Sequence, residues 1–274
     1  MSERLADLHV HTVFSDGTLT PQELIDRAGG IGLAALSVVD HDTVEGVRPS
    51  IDAGRRAGIE VLPGIELTAE YGDLEVHILG YLFDDRHPPL LKQLEQLKQN
   101  RIQRVHAMLA KLEAMDIHLA AGQVFALSSS GTVSRLHLAR AMVQAGITAS
   151  LWEAFDKYIG DRGPAYVMGF KLTAQEAIAL ILEAGGVPVL AHPYALRRNA
   201  LIPELVAFGI KGLEVYYPEH SPSMVEAYLQ IARTYNLVVT GGSDFHGQAK
   251  PDVKLGSRTV TYALVEALKK ARTQ

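Results

Sequence analysis

AALSVVDHD, residues 34–42, is nearly continuous in apolar side chains and then turns abruptly into three ionisable ones. An antiparallel strand with one wet face would alternate apolar and polar residues. An unbroken apolar run is the pattern of a parallel strand covered on both faces. Asp40-His41-Asp42 therefore marks the carboxyl end of such a strand, the rim at which parallel α/β folds place their chemistry.

The same pattern recurs on either side. RLADLHVHT (4–12) reads as a preceding strand. Thr20-Pro21-Gln22-Glu23 is a Thr-x-x-Glu capping box with proline at the first helical position, opening a helix to about Gly29. GRRAGIEVLPGIEL (54–67) supplies a helix end, Gly58 as its stop, and a third strand. LEVHILGYL (74–82) is a fourth, joined through Tyr71-Gly72-Asp73 in what reads as a hairpin. From about residue 86 to 170 strand signals cease; 88–115 reads as one long amphipathic helix and 134–146 as a shorter one. Alternation resumes with a second capping box, Thr173-Ala174-Gln175-Glu176. The helix AIALILEAG, the strands VPVLAH (187–192) and KGLEVYY (211–217), a helix led by Ser221-Pro222, and the strand LVVTGGSD (237–244) follow. About seven strands, most followed by a helix, predict an α/β fold. It would be a (β/α) barrel built from 1–85 and 171–274, with 86–170 a helical insertion after the fourth strand.

Composition narrows the chemistry. Of 274 residues, 47% are hydrophobic and 21% charged, an ordinary globular balance. No apolar run approaches the roughly 18–20 residues that would span a bilayer, and MSERLADLHV is not a secretory signal; a cytoplasmic protein with no membrane partner is expected. There is no cysteine, so any metal must be held by imidazole and carboxylate. The formal net charge of −5 argues against double-stranded nucleic acid as a partner, although a local metal cluster can reverse the sign of one pocket. A monomer is expected.

The ionisable residues that interrupt apolar strands all fall near strand ends. His9 and His11 end the first, with Asp16 just beyond; Asp40-His41-Asp42 ends the second; Glu66 closes the third. His77 lies in the fourth, His192 ends VPVLAH, His220 follows KGLEVYY, and Asp244 and His246 follow LVVTGG. In a β/α barrel these ends converge on one face. Histidines i and i+2 on a strand point the same way, so His9 and His11 can share one metal. His-x-His alone is equally compatible with packing; convergence from every strand is not.

DLHVHTVFSDG, VVDHD, PGIE, VHILGY, LAHP and GGSDFH, in that order, resemble the successive motifs of the PHP (polymerase and histidinol phosphatase) metal-dependent phosphoesterases. The resemblance covers about 5–85 and 173–260, and it implies a distorted (β/α)7 barrel with two or three divalent ions, Mn²⁺ foremost and Zn²⁺, Fe²⁺ or Mg²⁺ as alternatives. By this likeness His9, His11, Glu66 and Asp244 would hold the first ion, and Asp244 is also counted as catalytic. Glu66 would bridge to a second, completed by His77 and His192, while Asp16, His41 and His246 would hold the third. Asp40, Asp42 and Asp7 are read as residues that orient ligand imidazoles, or, for Asp7, one that ends strand pairing.

The helical insertion resembles that of the subgroup acting on nucleoside 3′,5′-bisphosphates and on the 5′ ends of short RNA. SRLHLARAMV is similar to its Gly-Arg-Pro-His-hydrophobic-Ala-Arg segment, keeping Arg135 and His137 but placing Ser134 and Leu136 where glycine and proline are expected. The reaction implied is in-line attack of a metal-activated hydroxide on phosphorus. His220 is the candidate catalytic acid or phosphate contact. Arg135, His137, Lys171 and Arg197, with Arg198 less favoured, are the candidate substrate contacts. Tyr194, Tyr216 or Phe245 could stack on a base. Arg101 and Arg104 are expected on an exposed helix face. The rival readings are a histidinol-phosphate phosphatase, a non-catalytic metal-binding or polymerase-associated module, and an amidohydrolase. The last usually needs a carboxylated lysine, and no strand here ends in lysine.

Overall fold

The computed structural model describes residues 3–128, 133–169, 171–196 and 198–272. The chain opens with β1 (Leu5–Val10), α1 (Pro21–Gly30), β2 (Ala35–Val38), α2 (Val47–Ala57), β3 (Glu60–Tyr71) and β4 (Leu74–Tyr81). Helices follow: α3 (Pro88–Glu113), α4 (Ala121–Phe125), α5 (Arg135–Gln144) and α6 (Leu151–Ala154), the last running into a π-helical turn at Phe155–Ile159. The second half holds β5 (Leu172–Thr173), α7 (Ala174–Glu183), β6 (Val187–Leu190), α8 (Ile202–Ala207), β7 (Gly212–Tyr216), α9 (Pro222–Thr234), β8 (Val238–Gly241), β9 (Val260–Thr261) and α10 (Tyr262–Arg272).

Local chemistry places the helix starts. The Thr20 hydroxyl accepts from the Glu23 amide at 3.3 Å while the Glu23 carboxylate accepts from the Thr20 amide at 2.8 Å. Thr173 and Glu176 repeat the arrangement at the start of α7, and Ser221 caps α9 ahead of Pro222. Gly58 ends α2 at φ 69°, a conformation that costs other residues free energy.

One sheet runs in the order β8-β7-β6-β4-β3-β2-β1-β9, with β5 beside β3. Its ends approach one another: Asp244 N–H donates to His9 O at 2.8 Å and His11 N–H to Phe245 O at 2.9 Å, nearly closing a barrel. The close approach explains Gly242, where a Cβ would lie 2.3 Å from the His9 nitrogen. The seven longer strands match the sequence expectation; β5 and β9, of two residues each, were not anticipated because so short a run carries no periodicity.

The distortion has a definite source. β3 pairs with β2 in parallel but with β4 antiparallel along its length, and β4 is antiparallel to β6 as well. β4 therefore runs against its neighbours and contributes its first half, not its carboxyl end, to the functional rim. That places His77 opposite Thr68, two pairs outward from Glu66.

Between β4 and β5 the described elements are all helical. Val105, Met108 and Leu112 of α3 pack with Leu138 and Met142 of α5 and with Ile159 in a core of their own. The first half of α3 packs elsewhere: Leu90, Leu94 and Leu97 join Ile178 and Ile181 of α7 against the barrel. One helix thus serves two cores. Among the described residues no helix is long and apolar enough to cross a membrane.

Candidate metal centre

The rim gathers the anticipated donors around Glu66, which is 1% exposed. Its Oε2 lies 3.2 Å from Nε2 of both His9 and His11 and 3.5 Å from His41 Nδ1. Its Oε1 lies 2.8 Å from His77 Nδ1 and 3.1 Å from His192 Nε2. Asp244 Oδ1 is 3.4 and 3.3 Å from the same nitrogens of His9 and His11. Asp16 Oδ1 is 3.2 Å from His246 Nε2.

Three groups have donor atoms close enough to share an ion: His9, His11, Glu66 and Asp244; His11, Asp16, His41 and His246; and His41, Glu66 and His77. His192 joins through Glu66. His11 is fully buried, yet among the described residues neither ring nitrogen has a hydrogen-bond partner, and His41 Nδ1 is likewise unpartnered. A buried polar atom without a partner is costly. Nitrogens that face carboxylate oxygens without hydrogen-bond alignment fit donors aimed at a common cation. Imidazole and carboxylate without thiolate suits a divalent ion.

The electrostatics agree. Burial alone would raise the pKa of Glu66, but His41, His9 and His77 hold it well below the usual carboxylate range. Asp244 is held low against the same burial by Lys250, His246 and His9. Burial pulls His41 down to about 3, leaving a neutral imidazole of the kind a metal needs. Backbone strain collects here too: Asp42, His192 and Asp244 sit at φ 51°, 22° and 56°.

Several donors have a partner for the outer atom. His9 Nδ1 faces Glu214 Oε1 at 2.9 Å, and Glu214 Oε2 accepts the His192 amide at 2.8 Å. His77 Nε2 faces Glu75 at 3.4 Å. Asp244 Oδ2 accepts from the Tyr217 hydroxyl at 2.7 Å and from Lys250 Nζ at 2.8 Å, which leaves Oδ1 turned inward. His246 donates Nδ1–H to the Asp244 carbonyl at 2.8 Å. Sequence reading missed Glu214, Glu75, Lys250 and Tyr217. The one available signal was a lone carboxylate inside an apolar strand, GLEVY and LEVHI.

The aspartates expected to orient imidazoles do something else. Asp40 accepts from the Thr12 amide and hydroxyl at 2.7 and 2.6 Å and from the Ser15 hydroxyl at 2.6 Å, tying down the loop between His11 and Asp16. Asp7 binds Ser243 and the Gly256 amide, fixing the loop that carries Asp244. Asp42 accepts from the Thr68 amide at 2.9 Å and from Arg101. Among the described residues no hydrogen bond of these three reaches an imidazole.

A cleft of about 280 Å³ opens over the cluster, lined by Asp16, His41, His77 and His246 on the donor side. Arg101, Arg104, Arg135, Lys250 and the ring of Phe155 line the same cleft. The exposed face expected for Arg101 and Arg104 is therefore corrected. Arg101 Nε bonds Asp42 at 2.9 Å and its Nη2 reaches Thr68 at 3.1 Å; Arg104 Nε bonds the Val167 carbonyl at 2.8 Å. A single amphipathic face could not show that the returning chain covers a second side of α3.

The remaining candidates lie as follows. Arg135, at the start of α5, bonds Asp161 at 2.6 Å, and Lys171 pairs with Glu75. His137 is buried, and its Nδ1 accepts the Ser134 amide at 3.0 Å, capping α5. His220 is buried among Tyr194, Tyr217 and Tyr228 with Nδ1 on the Val215 carbonyl. In that tautomer Nε2 accepts and does not donate, and burial lowers its pKa. Arg198 sits 3.6 Å from Asp73 on the surface. Phe245 is buried, packed in the core between Val10 and Leu24, while Tyr194 packs on Tyr217. Arg197 lies outside the described residues.

The sequence profile of the PHP domain matches residues 7–159. The chain is 33% identical over 269 residues to the 5′-3′ exoribonuclease Rnm of Escherichia coli, covering 96% of this chain and 92% of that one. It is 35% identical over 255 residues to a 3′,5′-nucleoside bisphosphate phosphatase of Chromobacterium violaceum, covering 90% of each. A solved structure from Bifidobacterium adolescentis, assigned as a metal-dependent phosphoesterase, superposes with a TM-score of 0.91 at 33% identity, covering 97% of this chain and 96% of that one.

Proposed function

This chain belongs to the PHP family of metal-dependent phosphoesterases, and from that premise we propose that it hydrolyses a phosphomonoester of a nucleotide, foremost the 3′-phosphate of a nucleoside 3′,5′-bisphosphate. Hydrolysis at the 5′ end of short RNA is the related activity, given the exoribonuclease relative. The observation that carries this reading is one cleft lined both by Asp16, His41, His77 and His246 of the donor cluster and by Arg101, Arg104 and Arg135, so cations stand beside the cluster for a second anionic group of one ligand.

In this reading His9, His11, Glu66 and Asp244 would hold one ion, Glu66, His77 and His192 a second, and Asp16, His41 and His246 a third, with Mn²⁺ the expected metal. Divalent ions bound there supply Lewis-acid stabilisation of the phosphoryl oxygens and an acidified water as nucleophile. The protein's own residues do the rest. Glu66, buried and ionised, spans the cluster. Lys250 and Tyr217 hold Asp244 by its outer oxygen and so orient the inner one. Arg135, helped by Lys171, contacts the distal phosphate from the start of α5, while His137 holds that helix end in shape. His220 packs against Tyr217, whose hydroxyl holds Asp244, and does not itself line the cleft. The helices of 86–170 form the cap that excludes water.

A substrate panel with Mn²⁺ tests the assignment: nucleoside 3′,5′-bisphosphate, nucleoside 3′- and 5′-monophosphates, histidinol phosphate and short 5′-phosphorylated RNA. The bisphosphate should show the highest kcat/KM. A preference for histidinol phosphate would overturn the substrate class, and bound metal with no hydrolysis of any ester would sink the enzymatic reading.

A further inference from the structure

Glu75 carries a negative charge into the cleft that the reading above gives to phosphate. It lies on β4 two residues before His77, so both side chains leave the same face of the strand. Three groups surround its carboxylate. Lys171 makes a close ion pair, His77 Nε2 is at 3.4 Å, and Arg135 Nη2 is at 3.9 Å. His77 turns Nδ1 toward Glu66, which leaves its other nitrogen for Glu75. Lys171 comes from the chain returning to the barrel, at the edge of the cleft, and Arg135 from the helical segment, so one carboxylate joins β4 to both. A fixed anion here repels an incoming phosphate and shields the cations that would attract it.

We propose that Glu75 is a specificity-determining residue, a resident carboxylate on the Lys171–Arg135 pair that the distal phosphate of the substrate must displace. The inference rests on the phosphoesterase reading above and narrows it to ligands anionic at both ends. A bisphosphate anchored by one phosphate at the donor cluster presents the other at high effective concentration and displaces Glu75 readily. An anion with only the distal group competes from bulk solution and loses that advantage. The product of 3′-dephosphorylation keeps only its 5′-phosphate, so Glu75 retakes the cations and favours release.

Calorimetric titration of adenosine 5′-monophosphate, as a product-class ligand, tests this on the metal-loaded protein and on the metal-stripped protein. The stripped form isolates the cation pair from any change at His77. Glu75→Gln, which keeps an acceptor for His77, should bind about fivefold more tightly in both forms, the scale of a part-exposed ion pair. Lys171→Ala should bind about fivefold more weakly, and Glu75→Gln should tighten binding less in that background than in the unaltered protein. If Lys171→Ala weakens binding but Glu75→Gln does not tighten it, the role of Glu75 is overturned and the cation subsite stands. If neither Lys171→Ala nor Arg135→Ala changes binding, the subsite itself is rejected and this inference with it, whatever the substrate panel shows about phosphoester hydrolysis.

Discussion

Glu66 and Glu214 show two kinds of buried carboxylate at one rim. Glu66 turns both oxygens toward imidazoles of the cluster. Glu214, fully buried, stands behind it, fixing the tautomer of His9 and the strained backbone of His192. A carboxylate on the outer nitrogen of a ligating histidine raises its basicity and sets its orientation. Glu214→Gln keeps one acceptor oxygen and loses the other, so metal affinity should fall by about 10- to 100-fold with little loss of fold. Competition with a fluorescent chelator measures it; unchanged affinity would reject the role. Most of the clustered residues were legible because they sit at or just beyond the end of an apolar strand, where a histidine or carboxylate has no packing reason to be. Glu214 and Glu75 were not, because a single polar residue in a strand does not reveal what it meets across the barrel.

At the scale of elements, α3 is pinned to the loop after His41. Asp42 is 3% exposed, and Arg101 bonds it while also reaching Thr68. Removing one partner leaves the other charge buried, so Arg101→Met or Asp42→Asn should each lose about 2–3 kcal/mol, below the full range for such pairs because Arg101 keeps some solvent contact. The double variant should lose much less than the sum, as denaturant unfolding would show; additive losses would mean the pair is not coupled. A second device acts at α5. Burial lowers the pKa of His137 from the ordinary 6.5 to about 4, with its Nδ1 accepting the Ser134 amide. The unfolded chain therefore binds the proton first, and stability is lost as pH falls from about 6.5 toward 4, by about 3 kcal/mol at most. His137→Gln should remove that part of the acid sensitivity; identical pH dependence of Tm in both proteins would count against it. The helix starts were legible because Thr20, Thr173 and Ser221 cap them with atoms a few residues away. The inward face of α3 was not, because it depends on residues 42, 68 and 167.

For the whole molecule, the donors come from β1, β3, β4 and the segments after β1, β2, β6 and β8, so an ion bound among them would tie together elements from the whole barrel. An ion that binds only the folded chain stabilises it by about 2.7 kcal/mol at a hundredfold excess over its Kd. Chelation should therefore lower Tm and abolish hydrolysis together, and titrating Mn²⁺ back should restore both along one concentration curve. A Tm indifferent to metal would separate the site from the fold.

By itself the sequence determined the order of strands and helices, the capped helix starts and the identity of the donor residues. All of these are set by neighbours within a turn or along one strand, where period and capping chemistry act. The reversed direction of β4, the outer partners of His9, His77 and Asp244, and the cations that line the cleft beside the cluster emerged with the tertiary structure. Those contacts join residues tens to hundreds of positions apart, such as His9 with Glu214 and Arg101 with Asp42. Pairing at that distance depends on sheet register and on how the helices return over the rim, and no local pattern encodes it.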